Sequence, residues 1–361
     1  MAYTTIDDPS AYFQTKIYTG NGGALAVTND GNSDLQPDLA WFKKRGGSES
    51  HALFDTSRGI DRFVSSNSDA VEQHQPTTGN TDADDIASFD SDGFTFQGGG
   101  GAINQSSNTY VAWQWKANGG TRTTNTESGN NPAGGYQANT TAGFSIVDYT
   151  GTGAAGTMAH GLGAVPTCMI VKNRGEVVDW GVYHQEMSSA GNDSYLELNT
   201  TDAVATAGTM WNDTTPTSSV FTIGSNTKTN KDAITYIAYV FTPIQGYSKF
   251  GSYTGNGNAD GPFVYLGFKP AWIMIKHTTE TNGEWMQFDN KRQGYNDNND
   301  ELHANDSDAE VTGNDRLDLL SNGIKIDSTG SYVNTDGDSY IYIAFAESPF
   351  VSSEGVPTTA R

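Results

Sequence analysis

The chain has one cysteine in 361 residues, Cys168, so neither an internal disulfide nor a cysteine-rich zinc site is available to it. Cys168 opens the apolar run Cys168-Met169-Ile170-Val171, the setting of a buried, inert thiol. Basic residues are few. Lys plus Arg total 20 against 42 Asp plus Glu, a net charge of -22, which repels phosphate backbones and argues against nucleic-acid binding. No segment approaches the ~18 consecutive apolar residues of a membrane span. The opening Met1-Ala2-Tyr3-Thr4-Thr5-Ile6-Asp7-Asp8 lacks the basic-then-apolar order of a secretory signal. Synthesis in a cytosol without membrane insertion is the expectation. Helical patterning is also missing, and Leu317-Asp318-Leu319-Leu320 offers one turn at most. Six histidines (His51, His74, His160, His184, His277 and His303) form no i,i+4 pair and share no position across the repeats described below. No metal centre, cofactor site or catalytic triad is therefore expected.

What the chain does have is bulk. Hydrophobic residues make up only 35%, but 17 Tyr, 16 Phe and 7 Trp each bury a large area, enough to drive folding. The length exceeds one ordinary β core, so two or three domains are the prior.

One pattern recurs three times. Tyr-Thr-Gly-x-Gly begins at Tyr18, Tyr149 and Tyr253, and a proline follows at Pro37, Pro166 and Pro270. Six residues beyond each proline stands a lysine, Lys43, Lys172 or Lys276, closing an apolar run. Phe54-Asp55, Tyr183-His184 and Phe288-Asp289 come next, then Asp69-Ala70, Asp202-Ala203 and Asp308-Ala309 in Asn-rich turns. Each unit closes on a strand opened by tyrosine: Tyr110 to Trp115, Tyr236 to Phe241, Tyr340 to Phe345. These strands are apolar on both parities, as when both faces are covered. Turn residues every ~8 to 12 positions complete the signature of an all-β sandwich or jelly roll. The units are expected at 1–118, 140–243 and 247–350, with 119–139 a Gly/Asn/Thr-rich linker and 351–361 a polar tail that extends away or docks on a neighbour. Units two and three, joined by Pro243-Ile244-Gln245-Gly246, are expected to be fixed together, with unit one looser. Each repeated strand tyrosine should be buried with its hydroxyl bonded. Its loss should unfold one unit while the others persist.

The glycines of Tyr-Thr-Gly-x-Gly read as turn formers, since no helix follows to make a phosphate cradle. His160-Gly161-Leu162-Gly163 has no Gly-x-Ser-x-Gly elbow to serve and reads as a turn. Asp90-Ser91-Asp92-Gly93 and Asn334-Thr335-Asp336-Gly337-Asp338 are incomplete as calcium loops and read as hairpins. Asn296-Asp297-Asn298-Asn299-Asp300-Glu301 is a surface loop able to hold an adventitious cation. Trp180 and Trp285 read as core. Trp211, in the loop Met210-Trp211-Asn212-Asp213, is the candidate for stacking on a sugar ring.

The chain resembles a repeat of marine bacteriophage virion proteins of the cyanophage and pelagiphage type. The matching words are "YTGNG", "HGLGAVP", "GYSKFGSYTGNGNADGPFVYLGFKPAWIMIK" and "YIYIAFAESPF". The resemblance implies three tandem β-sandwich modules of the jelly-roll or concanavalin-like kind, in tail fibres or other surface proteins. It implies a non-enzymatic virion structural protein contributing to host attachment, the alternatives being a capsid or tail decoration protein and a polysaccharide-degrading tail enzyme. The implied partners are other virion proteins, further copies of the chain and a host-surface glycan. Its implied place is the virion surface. Unit one departs from the pattern in its longer gap before Pro37 and its inserted loop Gln97 to Gly101.

Overall fold

The computed structural model describes residues 2–74, 86–187, 192–292, 296 and 299–358. Within them the protein is all-β, with only a 3-10 turn at Pro9–Ala11 and single helical turns at Gly208–Trp211 and Ser331–Asn334. Leu317–Leu320, read above as a possible helical turn, is a strand paired with Gly323–Ile326. Alternation decides it, because Leu317 and Leu319 are buried while Asp318 and Leu320 are only partly so.

The large sheets are three antiparallel, six-stranded ones with a common central order. In each, the strand carrying the Tyr-Thr-Gly tyrosine (Phe13–Thr19, Phe144–Thr150, Ser248–Thr254) lies beside the closing strand (Thr109–Trp115, Thr235–Phe241, Ser339–Pro349). The lysine strand (Leu39–Lys44, Cys168–Asn173, Phe268–His277) is on the closing strand's other side. A fourth strand (Ala52–Asp55, Gly181–His184, Trp285–Asp289) follows it. A small sheet covers one face of each, for example Leu25–Val27 with Gly93–Phe96 and Ile86–Asp90 in unit one.

The closing strands explain the architecture. One parity, Tyr110 and Ala112 in unit one, packs in a cluster under the small sheet. The other, Val111, Trp113 and Trp115, enters a single large cluster shared with Ile237, Tyr239 and Phe241 of unit two and Ile341, Ile343 and Phe345 of unit three. The three large sheets thus turn their second faces toward one another. Both parities must be apolar because both faces are dry. Where the sheets meet, Trp41, Tyr239, Trp272 and Phe345 border an apolar void of ≈ 20 Å³. That is about the space of one water, with no polar group to hold it.

Two expectations are corrected here. Unit one is not loosely attached, since Phe13, Trp41, Trp113 and Trp115 lie in the common cluster. Nor is 119–139 a free linker. Gly134–Asn139 pairs along the whole of Phe144–Thr150, and Thr123–Asn125 pairs with it in turn. Its start is pinned by Asp38, which accepts the amides of Ala117, Gly119 and Gly120 at 2.8, 3.0 and 3.0 Å. A Gly/Asn/Thr composition misled because such residues also suit an edge strand held by backbone bonds. The chain ends are tied down as well. Thr4 Oγ1 donates to Gln245 O (2.8 Å), and the tail docks on its own chain through the Ser353 amide and Asp7 (2.6 Å).

Candidate functional site

The repeated polar residues converge on three seams between units. Each lysine is buried at the end of its apolar strand and donates to a backbone carbonyl of a neighbouring unit. Lys43 reaches Ser307 O (3.1 Å), Lys172 reaches Asp69 O (2.8 Å) and Lys276 reaches Thr201 O (3.1 Å). Burial holds each ammonium down to about 8. The residue at the start of each fourth strand, first in it or just before it, crosses the same seam. Trp285 Nε1 donates to Glu197 O (2.9 Å), Trp180 Nε1 to Ser65 O (3.0 Å), and His51 Nε2 lies 2.9 Å from His303 O. Backbone bonds repeat the order: Glu72 N to Arg174 O, Val204 N to Thr278 O, Glu310 N to Arg45 O. Unit one therefore grips unit three, two grips one, and three grips two, a closed ring with approximate threefold symmetry.

At two seams the centre is charged. Arg58, fully buried, bonds Asp55 (2.5 Å) and Glu72 (3.3 Å), while Arg174 and Tyr239 of unit two reach Glu72 and Asp55 at 2.8 and 2.9 Å. Arg292 likewise bonds Asp289 (2.6 Å) and Glu310 (2.9 Å), joined from unit one by Arg45 at 2.7 Å and the Trp113 indole at 3.0 Å. The carboxylates hold both guanidinium groups charged despite burial. At the third seam every member is exchanged at once. His184, Met187, Val204, Thr278 and Ile343 stand there, and His184 Nε2 lies 3.2 Å from Tyr342 O. Burial lowers His184 to about 4, so it is neutral. Removing one member would strand a buried charge, whereas replacing the set leaves an apolar seam.

The repeated tyrosines hold the small-sheet side. Tyr110, Tyr236 and Tyr340 are buried and stacked on Tyr18, Tyr149 and Tyr253 with centroids 5.3, 5.1 and 5.0 Å apart. Their hydroxyls donate to Gly101, Thr227 and Ser331 carbonyls at 2.9, 2.9 and 2.7 Å, as expected of a buried tyrosine. In Tyr-Thr-Gly-x-Gly the second glycine has positive φ, +76° at Gly22, as expected of a turn. The first is needed for space. A Cβ on Gly255 would sit 2.2 Å from Thr335 O.

Trp211 is a correction. The helical turn Gly208–Trp211 directs it inward, 1% exposed, edge-on to Tyr183 at 5.8 Å with its indole bonded to Ser194 O at 3.1 Å. It has no free face for a sugar. Trp180 and Trp285 are buried, as the sequence indicated. Cys168 is buried, and burial pushes its thiol up. Asp90 and Gly93 pair across a hairpin end. In the acidic loop, Asp297 and Asn298 lie outside the described residues, while Asp300 and Glu301 are buried and paired with Arg45 and Arg316. The structure also gathers two His/carboxylate sets the sequence did not reveal, His277 with Glu280 and Asp338, and Glu284 with His303 and Asp306. Each histidine bonds its aspartate, at 3.1 and 2.8 Å. Surface clefts among the described residues include one of ≈ 290 Å³ beside Arg122, Asp148 and Arg174 and one of ≈ 170 Å³ between units one and three.

Sequence reasoning missed the buried asparagines Asn104, Asn230 and Asn334, each six residues before its strand tyrosine. Each side-chain oxygen accepts the x-residue amide of Tyr-Thr-Gly-x-Gly, from Asn21, Thr152 and Asn256 at 3.0, 2.8 and 2.8 Å. Their constant offset was the available signal. The seams were hidden because their partners lie ~75 to 265 residues apart in sequence.

No curated protein and no solved structure matches this chain. One family model, a domain of unknown function (DUF7483), matches residues 8–349 and so takes in all three units and the seams between them. The chain belongs to the DUF7483 family.

Proposed function

We propose that the chain is a non-enzymatic structural protein of a bacteriophage surface, part of a tail fibre or other appendage that contacts the host. The observation carrying this reading is where the repeated polar residues lie. The lysines and the two Asp-Arg networks fasten three units into one, while the tyrosines and asparagines bond inside each unit. Such a body suits a displayed structural part, and its acidic charge suits solubility. The virion setting rests on the repeated words given above. A host-surface glycan remains the proposed contact, but through residues other than Trp211.

Decoration of a capsid or tail is the second reading, favoured by the ring of three similar units, which matches the geometry of a site on a threefold axis. Immunogold labelling of intact particles, together with host adsorption in the presence of soluble protein, tests both. Tail labelling with competed adsorption is expected. Capsid labelling without competition moves the assignment to decoration, and absence from particles overturns both. Release of reducing ends from host polysaccharide, abolished by one Asp or Glu substitution, would overturn the non-enzymatic reading.

A further inference from the structure

We propose that the cleft between units one and three is a slot for an extended strand supplied by another polypeptide. The chain contains its own precedent. Where unit two meets unit one, the outer edge of Phe144–Thr150 is taken by Gly134–Asn139. Gln137 of that strand, 1% exposed, reaches across the seam to Thr56 Oγ1 (2.7 Å) and Ser57 Oγ (2.6 Å).

Among the described residues no strand pairs with the matching edge of unit one. Phe13–Thr19 is the outermost strand of its sheet. The direction of its amides follows from unit two. Thr150 N donates outward to Ala133 O, while Gly151 N turns inward to Ile234 O, as Gly20 N does to Asn108 O. By alternation, the amides of Thr19, Ile17 and Thr15 point out of the sheet. Thr15 borders the ≈ 170 Å³ cleft at one end of this edge, and the cleft's far wall is Asn290, Lys291, Ala271 and Ala346 of unit three.

Two side chains in this cleft have a buried polar atom without a partner among the described residues. Asn290, directly after Asp289, corresponds to Thr56 after Asp55. Its Nδ2 donates to Glu347 (2.9 Å), but its buried Oδ1 has no partner. Thr15, 3% exposed, likewise has an unpartnered hydroxyl. Buried polar atoms are normally satisfied, so an orphan pair lining an open edge points to a ligand with matching groups.

The occupant is a strand of neutral, polar character. It carries a side-chain donor facing Asn290, as Gln137 faces Thr56, and a small residue where backbones cross. In the precedent, a Cβ on Gly134 would sit 2.1 Å from Asp148 O. Recognition is strand addition, with main-chain bonds giving affinity and the amide side chain giving register. The chain's own leader does not fill the slot. Tyr3 and Thr4 bond Gly267 and Gln245, and Pro9–Ala11 is a 3-10 turn whose Ser10 borders the cleft without adding a strand to the edge. At the third seam Ser252 Oγ bonds Glu186 directly (3.3 Å).

A peptide copying residues 131–141 tests this when added to the full chain, with amide hydrogen exchange as the readout. Thr15, Ile17 and Thr19 amides should exchange freely in the protein alone and slow about tenfold or more with peptide present. Thr15→Arg should abolish that protection, and a peptide with leucine in place of glutamine should bind about tenfold more weakly. Protection of those amides in the free protein, no protection at ~1 mM peptide, or protection confined elsewhere would overturn the proposal. Concentration-dependent protection by the protein itself would overturn the choice of occupant and assign the slot to a second copy.

Discussion

Replacing Asp289 by alanine isolates what a buried seam network contributes. Arg292 has a fully buried side chain and would lose its 2.6 Å partner. Asp289 Oδ1 also accepts the Lys291 and Arg292 amides at 3.0 and 2.9 Å, and Oδ2 accepts the Trp113 indole. Arg292 keeps Glu310 and the Gln287 carbonyl, so its charge is under-compensated but not alone. Breaking a buried pair in this way costs about 3–5 kcal/mol, a large part of the ~5–15 kcal/mol that holds a typical fold. The third seam supplies the control. Asp289→His, Arg292→Met, Glu310→Val, Arg45→Thr and Trp113→Ile together write its residues into the damaged seam. This fivefold variant should recover most of the loss, because it removes the charges together with their desolvation cost. Equilibrium unfolding in urea, followed by tryptophan fluorescence, gives both numbers from midpoint and slope. Because the central cluster contains all three units, one transition is expected, and not the unit-by-unit unfolding that tandem repeats suggest. An Asp289→Ala protein with the parent's midpoint, a fivefold variant no better than the single one, or two separated transitions would refute the reasoning.

Tyr340→Ala should cost about 3–5 kcal/mol and lower that same transition, read by calorimetry. Trp211→Ala should destabilise to a similar degree while leaving any glycan binding of the folded fraction unchanged on a glycan array. Gly255→Ala should cost about 1–3 kcal/mol, since the new methyl group meets a fixed carbonyl and not a flexible side chain, and chemical denaturation measures it. Burial holds His51 down to about 3 and His184 to about 4, against ~6.5 in the unfolded chain. The unfolded state then binds protons that the folded state refuses, so stability is complete above ~6.5 and falls as pH drops toward 4. Urea midpoints across that range should show the slope, and His184→Gln should make it shallower.

The sequence by itself determined the strands and their kinship. Regular offsets of tyrosine, proline and lysine placed the repeats, and apolar residues on both parities of Tyr110 to Trp115 required two covered faces. That signal is local and periodic, so it survives in one dimension. It also carried the buried tyrosines and the glycine turns. Only the tertiary structure decided what covers the second face. Nothing in the run Trp113-Gln114-Trp115 says that its indoles meet Trp272 and Phe345 of unit three. Nor could composition reveal that Gly134–Asn139 is a strand, because a strand held by backbone bonds and glycine leaves little side-chain pattern. Trp211 was misplaced for the same kind of reason. A polar loop sequence surrounds it, yet one helical turn is enough to rotate a large side chain from solvent into a core. The seam lysines were visible as a repeat but not as a fastening, since their partners are carbonyls, which every residue carries and no sequence marks.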